Sequence, residues 1–183
     1  MLEGWVDSDF ASCPDTRRST SGYVLSLNGA PVSWKAKRQA SVALSSAEAE
    51  FVAASLCGKE VVYIRAVMRG MGQEQLKPTI LWEDNQACID MAANPVHRER
   101  SRHIDVKVHN VRELQDEGVL KLKKVDGEDN VADALTKNLP SSVLLKHAIY
   151  LFGSRVPFAS MYSYYSRLSP CPNWWSRTGM DVD

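Results

Sequence analysis

Four acidic residues in this chain have the types and settings that chemistry requires: Asp7, Glu50, Asp84 and Asp133. Each has apolar neighbours, and a carboxylate is costly to place among apolar residues unless its charge is compensated. If the four carboxylates meet in the folded chain, they cannot all stay ionised at neutral pH without cations between them. Carboxylate oxygens are preferred ligands of divalent ions such as Mg²⁺, which act on phosphate esters. The pattern therefore indicates metal-dependent phosphate chemistry.

Two neighbouring acids compete for these positions. On a strand, residues i and i+2 share a face, so Asp9 as well as Asp7 could face a metal ion. On a helix, Glu48 and Glu50 point about 200° apart, so only one of them can face the site. We favour Glu50, because Glu48 lies three residues after Ser45 and is placed to complete a helix capping box.

The elements that must position these acids begin with three strands. Residues 3–10 are rich in large apolar side chains and are bounded by turn-forming residues, which predicts a first strand. Residues 22–27 predict a second strand, and Asn28-Gly29 is a strong hairpin signal. Residues 31–35 supply the returning strand. The chain should therefore open with a three-stranded antiparallel meander.

The pattern then changes to a helical period. Apolar residues at helical spacing predict a long helix from Ser46 to about Met71, with Ser45 as its N-cap. The later predicted elements are a strand at 79–82, helices at 85–93 and 101–117, a strand at 119–125, a helix from a cap at Asp129 or Asn130 to about Lys137, and a helix at 141–152. This order predicts an α/β fold with a mixed sheet and helices packed on its faces. Ligands of such sheets gather beyond the carboxyl ends of central strands, where the four acids are expected to meet.

Length and composition limit the alternatives. With 183 residues the chain can bury one sizeable core, and we assign it to residues 1–153. Residues 154–183 are rich in Ser, Tyr, Trp and Pro without any sustained period, which predicts a disordered C-terminal tail. Lys and Arg together number 22, as do Asp and Glu, so nucleic acid cannot be held by net charge and would need local basic patches.

Targeting features are absent from the sequence. The longest apolar runs are shorter than the roughly 18 residues of a membrane span, so no membrane partner is expected. Asp7 and Asp9 stand where a secretion signal would need its apolar core. The four cysteines form no metal-binding spacing and give no sign of an oxidising compartment. These features predict an intracellular protein.

In their order and flanking residues, the four acids resemble those of the ribonuclease H domain of copia-type retrotransposon Pol polyproteins. The resemblance runs in order and without large gaps over about residues 3 to 140. The segments that carry it are 4–11, 17–24, 32–35, 44–51, 83–86, 102–106 and 130–137. This is much more specific than any single short motif.

The resemblance implies a ribonuclease H-like, mixed five-stranded sheet and hydrolysis of the RNA strand of RNA–DNA hybrids with two Mg²⁺ ions, for which Mn²⁺ could substitute. Asp7 would bridge both ions, Glu50 and Asp84 would complete one metal site, and Asp133 would help to hold the other. A reverse transcriptase domain is implied in the parent polyprotein, and a cytoplasmic virus-like particle as its location. Because this chain begins at the first strand, we expect a gene fragment or truncated copy.

Three further residues are candidates for binding the hybrid: Gln86, Arg102 and His103. Gln86 could hydrogen-bond bases or sugars beside Asp84, or lie on a helix surface. Arg102 with His103 could help to seat the hybrid, or pack structurally. The loop at 125–128 lacks the histidine that many cellular ribonucleases H carry before the last acid.

Two other functions remain open at this point. The chain could be a catalytically silent relic of a retrotransposon or a module that binds hybrids without cutting them. It could also be another nuclease of the same superfamily, such as an integrase, although the copia-type segments argue against that alternative.

Overall fold

Five strands form one mixed sheet in the order β3-β2-β1-β4-β5. The structure is a computed structural model that describes residues 1–93 and 102–152, except for the side chains of 102–108 and 152. The strands are β1 Leu2–Asp9, β2 Thr20–Leu27, β3 Ala30–Arg38, β4 Thr79–Glu83 and β5 Leu120–Lys124. The first three are antiparallel neighbours, and β4 and β5 extend the sheet in parallel from β1. The predicted fold class is confirmed.

The hairpin between β2 and β3 turns at the predicted dipeptide. Asn28 and Gly29 have φ angles of 52° and 82°, so both adopt the left-handed conformation. A two-residue hairpin turn of this hand matches the natural twist of the two strands it connects. Asn and Gly are the residues that adopt this conformation at least cost, which is why the turn could be located from sequence.

In the described part of the chain, four α-helices accompany the sheet: α1 Ser46–Gly70, α2 Gln86–Ala93, α3 Arg102–Asp116 and α4 Ser141–Phe152. Ser45 caps α1 as predicted, because its hydroxyl accepts a hydrogen bond from the Glu48 backbone N–H at 3.2 Å. The Glu48 carboxylate returns a bond to the N–H of Leu44 at 3.0 Å, one residue before the cap. Among the described residues, no helix is sufficiently long and apolar to cross a membrane.

Apolar side chains are buried on both faces of the sheet. On one face, Val6 of β1 and Leu81 of β4 pack with Phe51 of α1. On the other face, Val24 of β2 packs with Leu135 and with α4. Alternate residues of a strand point to opposite faces, so β1 contributes side chains to the cores on both faces of the sheet.

The segment that carries Asp133 differs from its prediction. An α-helix to about Lys137 was expected, but Gly127–Asp129 and Val131–Leu135 form two 3₁₀ turns. Asn130 holds the second turn against the sheet, because its side chain donates to the carbonyl of Val6 at 2.9 Å and accepts from the Ala132 N–H. This anchoring favours a short, tight turn over a continuing α-helix. Of the two residues predicted as the cap, Asn130 caps the second turn, whereas the Asp129 carboxylate forms an ion pair with Lys146.

A glycine lets this turn approach the sheet. Gly22 lies opposite Asp7 in the β1–β2 pairing. A Cβ atom at Gly22 would lie 2.6 Å from the Thr136 side chain and 3.2 Å from that of Leu135, both closer than side chains normally pack. The missing side chain therefore makes room for the turn beside Asp7. The predicted tail at 154–183 lies outside the described residues.

Candidate active site

Three of the four predicted acids meet at the carboxyl ends of two adjacent strands. In the parallel pairing of β1 with β4, Trp5 lies opposite Trp82, so Asp7 and Asp84, two residues further on, are neighbours. Glu50 reaches the same point from the first turns of α1. One carboxylate oxygen of each acid lies within 4.8 Å of those of the other two. The sheet register and the start of α1 together create this acidic cluster.

Asp133 joins the cluster through a lysine. The Nζ atom of Lys137 lies 2.9 Å from Asp7 Oδ1, 3.0 Å from Asp133 Oδ1 and 3.9 Å from Asp84 Oδ2. The hydroxyl of Thr136 donates a hydrogen bond to the other oxygen of Asp7. Burial lowers the pKa of the Lys137 ammonium, but the charges and hydrogen bonds of Asp7 and Asp133 outweigh it and raise the pKa overall. Lys137 is therefore charged at neutral pH.

Glu83 is a fifth acid at the site that sequence reasoning missed. It is the last residue of β4 and fully buried. The backbone N–H of Asn85 donates to its carboxylate at 2.9 Å, and the thiol of Cys88 lies beside it. Buried glutamates are rare, and an acid that ends an otherwise apolar strand is the signal that could have revealed it.

Burial and crowding make this cluster unfavourable without a cation. Burial raises the pKa of Glu50, and the neighbouring charges of Glu83, Asp7 and Asp84 raise it further. Burial is also the main cause of the raised pKa of Glu83. For Asp133, burial and then the charge of Asp7 raise the pKa. Nearby positive charge is what such a group of carboxylates requires in order to ionise.

The donor set fits a hard divalent ion. Its ligands would be carboxylate oxygens of Asp7, Glu50 and Asp84, which is the donor type that Mg²⁺ and Mn²⁺ favour. The Oε2 atom of Glu50 is buried and has no hydrogen-bond partner among the described residues. An unsatisfied buried carboxylate oxygen is costly, and a bound cation would remove that cost.

The acids that competed for these positions lie elsewhere. The Glu48 carboxylate is used at the start of α1, as the capping interpretation predicted. Asp9 follows Asp7 on β1, and its pKa is raised mainly by burial, but it is not part of the three-carboxylate group. Asp129 is exposed and pairs with Lys146 at 2.6 Å.

The candidate hybrid-binding residues are less well placed. The side-chain amide of Gln86 donates to Asp90 at 2.9 Å on the exposed surface of α2, which is the helix-surface alternative. Arg102 and His103 begin α3, but their side chains lie outside the described part of the chain. Their roles stay predictions.

The metal-free protein should lose stability as the pH rises. Glu50 and Glu83 have folded-state pKa values above the unfolded value of 4.5, so above that value the folded chain holds more protons than the unfolded chain. Unfolding is then favoured by deprotonation, and the melting temperature without metal should fall between about pH 5 and about pH 8. Differential scanning calorimetry in EDTA measures this fall.

Glu83→Gln is the matched variant for this prediction. The amide oxygen can still accept from Asn85, whereas the buried negative charge beside Glu50 is removed. We expect the variant to gain about 1–2 kcal/mol of metal-free stability at pH 8 and little at pH 5. The contribution of buried His147, whose pKa is lowered mainly by burial, cancels when intact and variant proteins are compared at one pH. Equal stability at both pH values would contradict the prediction.

The sequence is similar to retrovirus-related Pol polyproteins from plant transposons. The chain is 39% identical over 140 residues to the retrovirus-related Pol polyprotein from transposon TNT 1-94 of Nicotiana tabacum, covering 76% of this chain and 10% of the polyprotein. It is 32% identical over 156 residues to the corresponding polyprotein from transposon RE1 of Arabidopsis thaliana, covering 85% and 11%. The chain thus spans about a tenth of the length of these curated relatives. No protein-family model matches the chain.

A solved structure supports the fold assignment. The crystal structure of LC11-RNase H1 in complex with an RNA/DNA hybrid superposes with a TM-score of 0.54, at 12% identity, over 74% of this chain and 94% of that one. At this identity the likeness shows the fold, while the sequence relatives show descent. The chain therefore belongs to the copia-type, retrovirus-related Pol polyproteins of transposons, and it has the fold of a ribonuclease H domain.

Proposed function

We propose that this domain hydrolyses the RNA strand of RNA–DNA hybrids with the help of a divalent metal ion. The observation that carries this proposal is the convergence of Asp7, Glu50 and Asp84, whose carboxylate oxygens lie within 4.8 Å of one another. The hybrid bound by the structural neighbour LC11-RNase H1 supports the substrate class. Mg²⁺ is the proposed ion, and Mn²⁺ is an alternative with similar ligand preferences.

The protein's own residues would hold the ion and keep it in place. Asp7, Glu50 and Asp84 would be its ligands, and the Thr136 hydroxyl fixes the orientation of the Asp7 carboxylate. When bound, a divalent ion lowers the pKa of water and neutralises charge on a phosphate, which are the requirements of phosphodiester hydrolysis. Because these acids are largely buried, their charges are screened less than they would be in water.

The proposed biological setting follows from the relatives. They are Pol polyproteins, so we propose that the domain acts beside the reverse transcriptase of its own polyprotein, removing template RNA after DNA synthesis. A cytoplasmic virus-like particle is the proposed location of that reaction. RNA is distinguished from DNA by its 2′-hydroxyl groups, which mark the strand to be cut.

The test is cleavage of a hybrid whose RNA strand carries an end label. We expect cleavage with Mg²⁺, none with EDTA, and none of the same RNA as a single strand. Glu50→Gln should abolish cleavage because it removes a buried metal ligand. Glu48→Gln, two residues away, should cost about 1 kcal/mol of stability through the weakened helix start and leave cleavage intact.

One result would favour the alternative function. If the intact, folded protein binds the hybrid in Mg²⁺ but does not cut it, the domain is a binding module or a silent relic. Equal loss of cleavage in Glu48→Gln and Glu50→Gln, with both variants folded, would contradict the assignment of the metal ligands.

A further inference from the structure

We propose that the ammonium group of Lys137 is the resident cation of the second position in this site, so that the domain binds one divalent ion and not two. Asp133 is then the partner of Lys137 and not a metal ligand. This inference rests on the proposed metal site at Asp7, Glu50 and Asp84. It replaces the second ion that the family resemblance implies between Asp7 and Asp133.

The nitrogen of Lys137 lies between Asp7 and Asp133. Lys137 Nζ lies about equally far from one oxygen of Asp7 and one oxygen of Asp133, at 2.9 and 3.0 Å. The contact with Asp133 is a charge-assisted hydrogen bond, and the contact with Asp7 is an ion pair. A Mg²⁺ ion shared by the same two oxygens would have to lie about 2.1 Å from each of them. The ammonium and the ion therefore need the same space.

The backbone around Lys137 is fixed near this position. The N–H of Lys137 donates to the carbonyl of Asp133 at 2.9 Å, so the lysine and the acid share one turn. Thr136, the preceding residue, is tied to Asp7 through its hydroxyl. The side chain is only about one-third exposed, unlike the more exposed Lys146. Lys137 is thus part of the acidic site, whereas Lys146 forms its ion pair with Asp129 at the protein surface.

The compensated charge of Asp133 agrees with this assignment. The three carboxylates that lie within 4.8 Å of one another exclude Asp133, whose charge is already compensated by the lysine. Because a second ion would need the space of the ammonium, it must displace the ammonium from both of its partners.

Counting bound Mn²⁺ tests the inference without nucleic acid or turnover. Electron paramagnetic resonance detects free Mn²⁺, so a titration gives the number of ions bound to each folded protein. We expect one ion on the intact chain and two on Lys137→Met, because the methionine fills the space without charge. Lys146→Met is the matched control, since it also removes a lysine paired with an aspartate, and it should bind one ion. Circular dichroism establishes that each variant is folded.

A second variant keeps the test decisive if Lys137→Met does not fold. Asp133→Asn in the intact background should still bind one Mn²⁺, because Asp133 is not a ligand of that ion. Two ions on the intact chain, or loss of the single ion in Asp133→Asn, would overturn the inference while leaving the proposed metal site standing. No bound Mn²⁺ on the intact, folded chain would instead refute the proposed metal site, and the inference with it.

Discussion

Asp84→Asn is expected to lower the rate of hybrid cleavage by about 10³-fold or more while the domain stays folded. Asp84 follows β4 and contributes one of the three clustered carboxylates. The amide has nearly the same shape, but it carries no charge and is a much weaker ligand for a divalent ion. Its side chain is partly exposed, so packing should survive the change. Single-turnover cleavage of an end-labelled hybrid at saturating Mg²⁺ measures the rate.

Asp90→Asn is the matched control for this loss. Asp90 lies on the exposed surface of α2, where it accepts a hydrogen bond from Gln86. Removing a surface charge there should change the cleavage rate less than about threefold, because the charge is screened by water and salt. If both variants lose activity equally, the loss comes from general electrostatics and the ligand role of Asp84 is refuted. Full activity in Asp84→Asn would refute it as well.

Phe51→Ala is expected to lower the free energy of unfolding by about 3–5 kcal/mol. Phe51 is fully buried between α1 and the sheet, next in sequence to Glu50. Truncating the ring loses its transfer free energy and leaves a cavity that the surrounding side chains fill only in part. Weaker packing at the start of α1 would also shift the Glu50 side chain from its position in the acidic cluster. Urea denaturation followed by circular dichroism measures the stability.

Tyr63→Ala is the control on the same helix. Tyr63 is 65% exposed, so its truncation leaves no buried cavity. We expect a change within about 0.5 kcal/mol, as for most surface substitutions. A cost for Tyr63→Ala similar to that for Phe51→Ala would mean that burial does not set the cost of truncating an aromatic side chain on α1, and it would contradict the prediction.

Local chemistry explains why much of the fold was predictable. The hairpin at Asn28-Gly29 depends on two residues that adopt the left-handed conformation, and the start of α1 depends on a serine cap. Both are decided by residues adjacent in sequence. The segment after Asn130 was predicted wrongly as an α-helix, because its shape depends on a hydrogen bond from Asn130 to the carbonyl of Val6 on β1.

The choice between Glu48 and Glu50 was also made locally. Two residues on one helix cannot face the same site, and a cap position uses one of them. In the structure, Glu48 accepts a hydrogen bond from the Leu44 N–H, and Glu50 lies in the acidic cluster. The catalytic roles of the acids stay predictions until cleavage is measured.

The amino-acid sequence by itself determined the order of the elements, the acids available to the site and the family to which the chain belongs. Only the tertiary structure decided what surrounds those acids. Lys137 is 130 residues from Asp7 along the chain, and it reaches Asp7 because Gly22 lets its turn approach the sheet. Glu83, at the end of β4, is buried beside Glu50 of α1. Charge compensation depends on distances in space, which spacing along the chain does not determine.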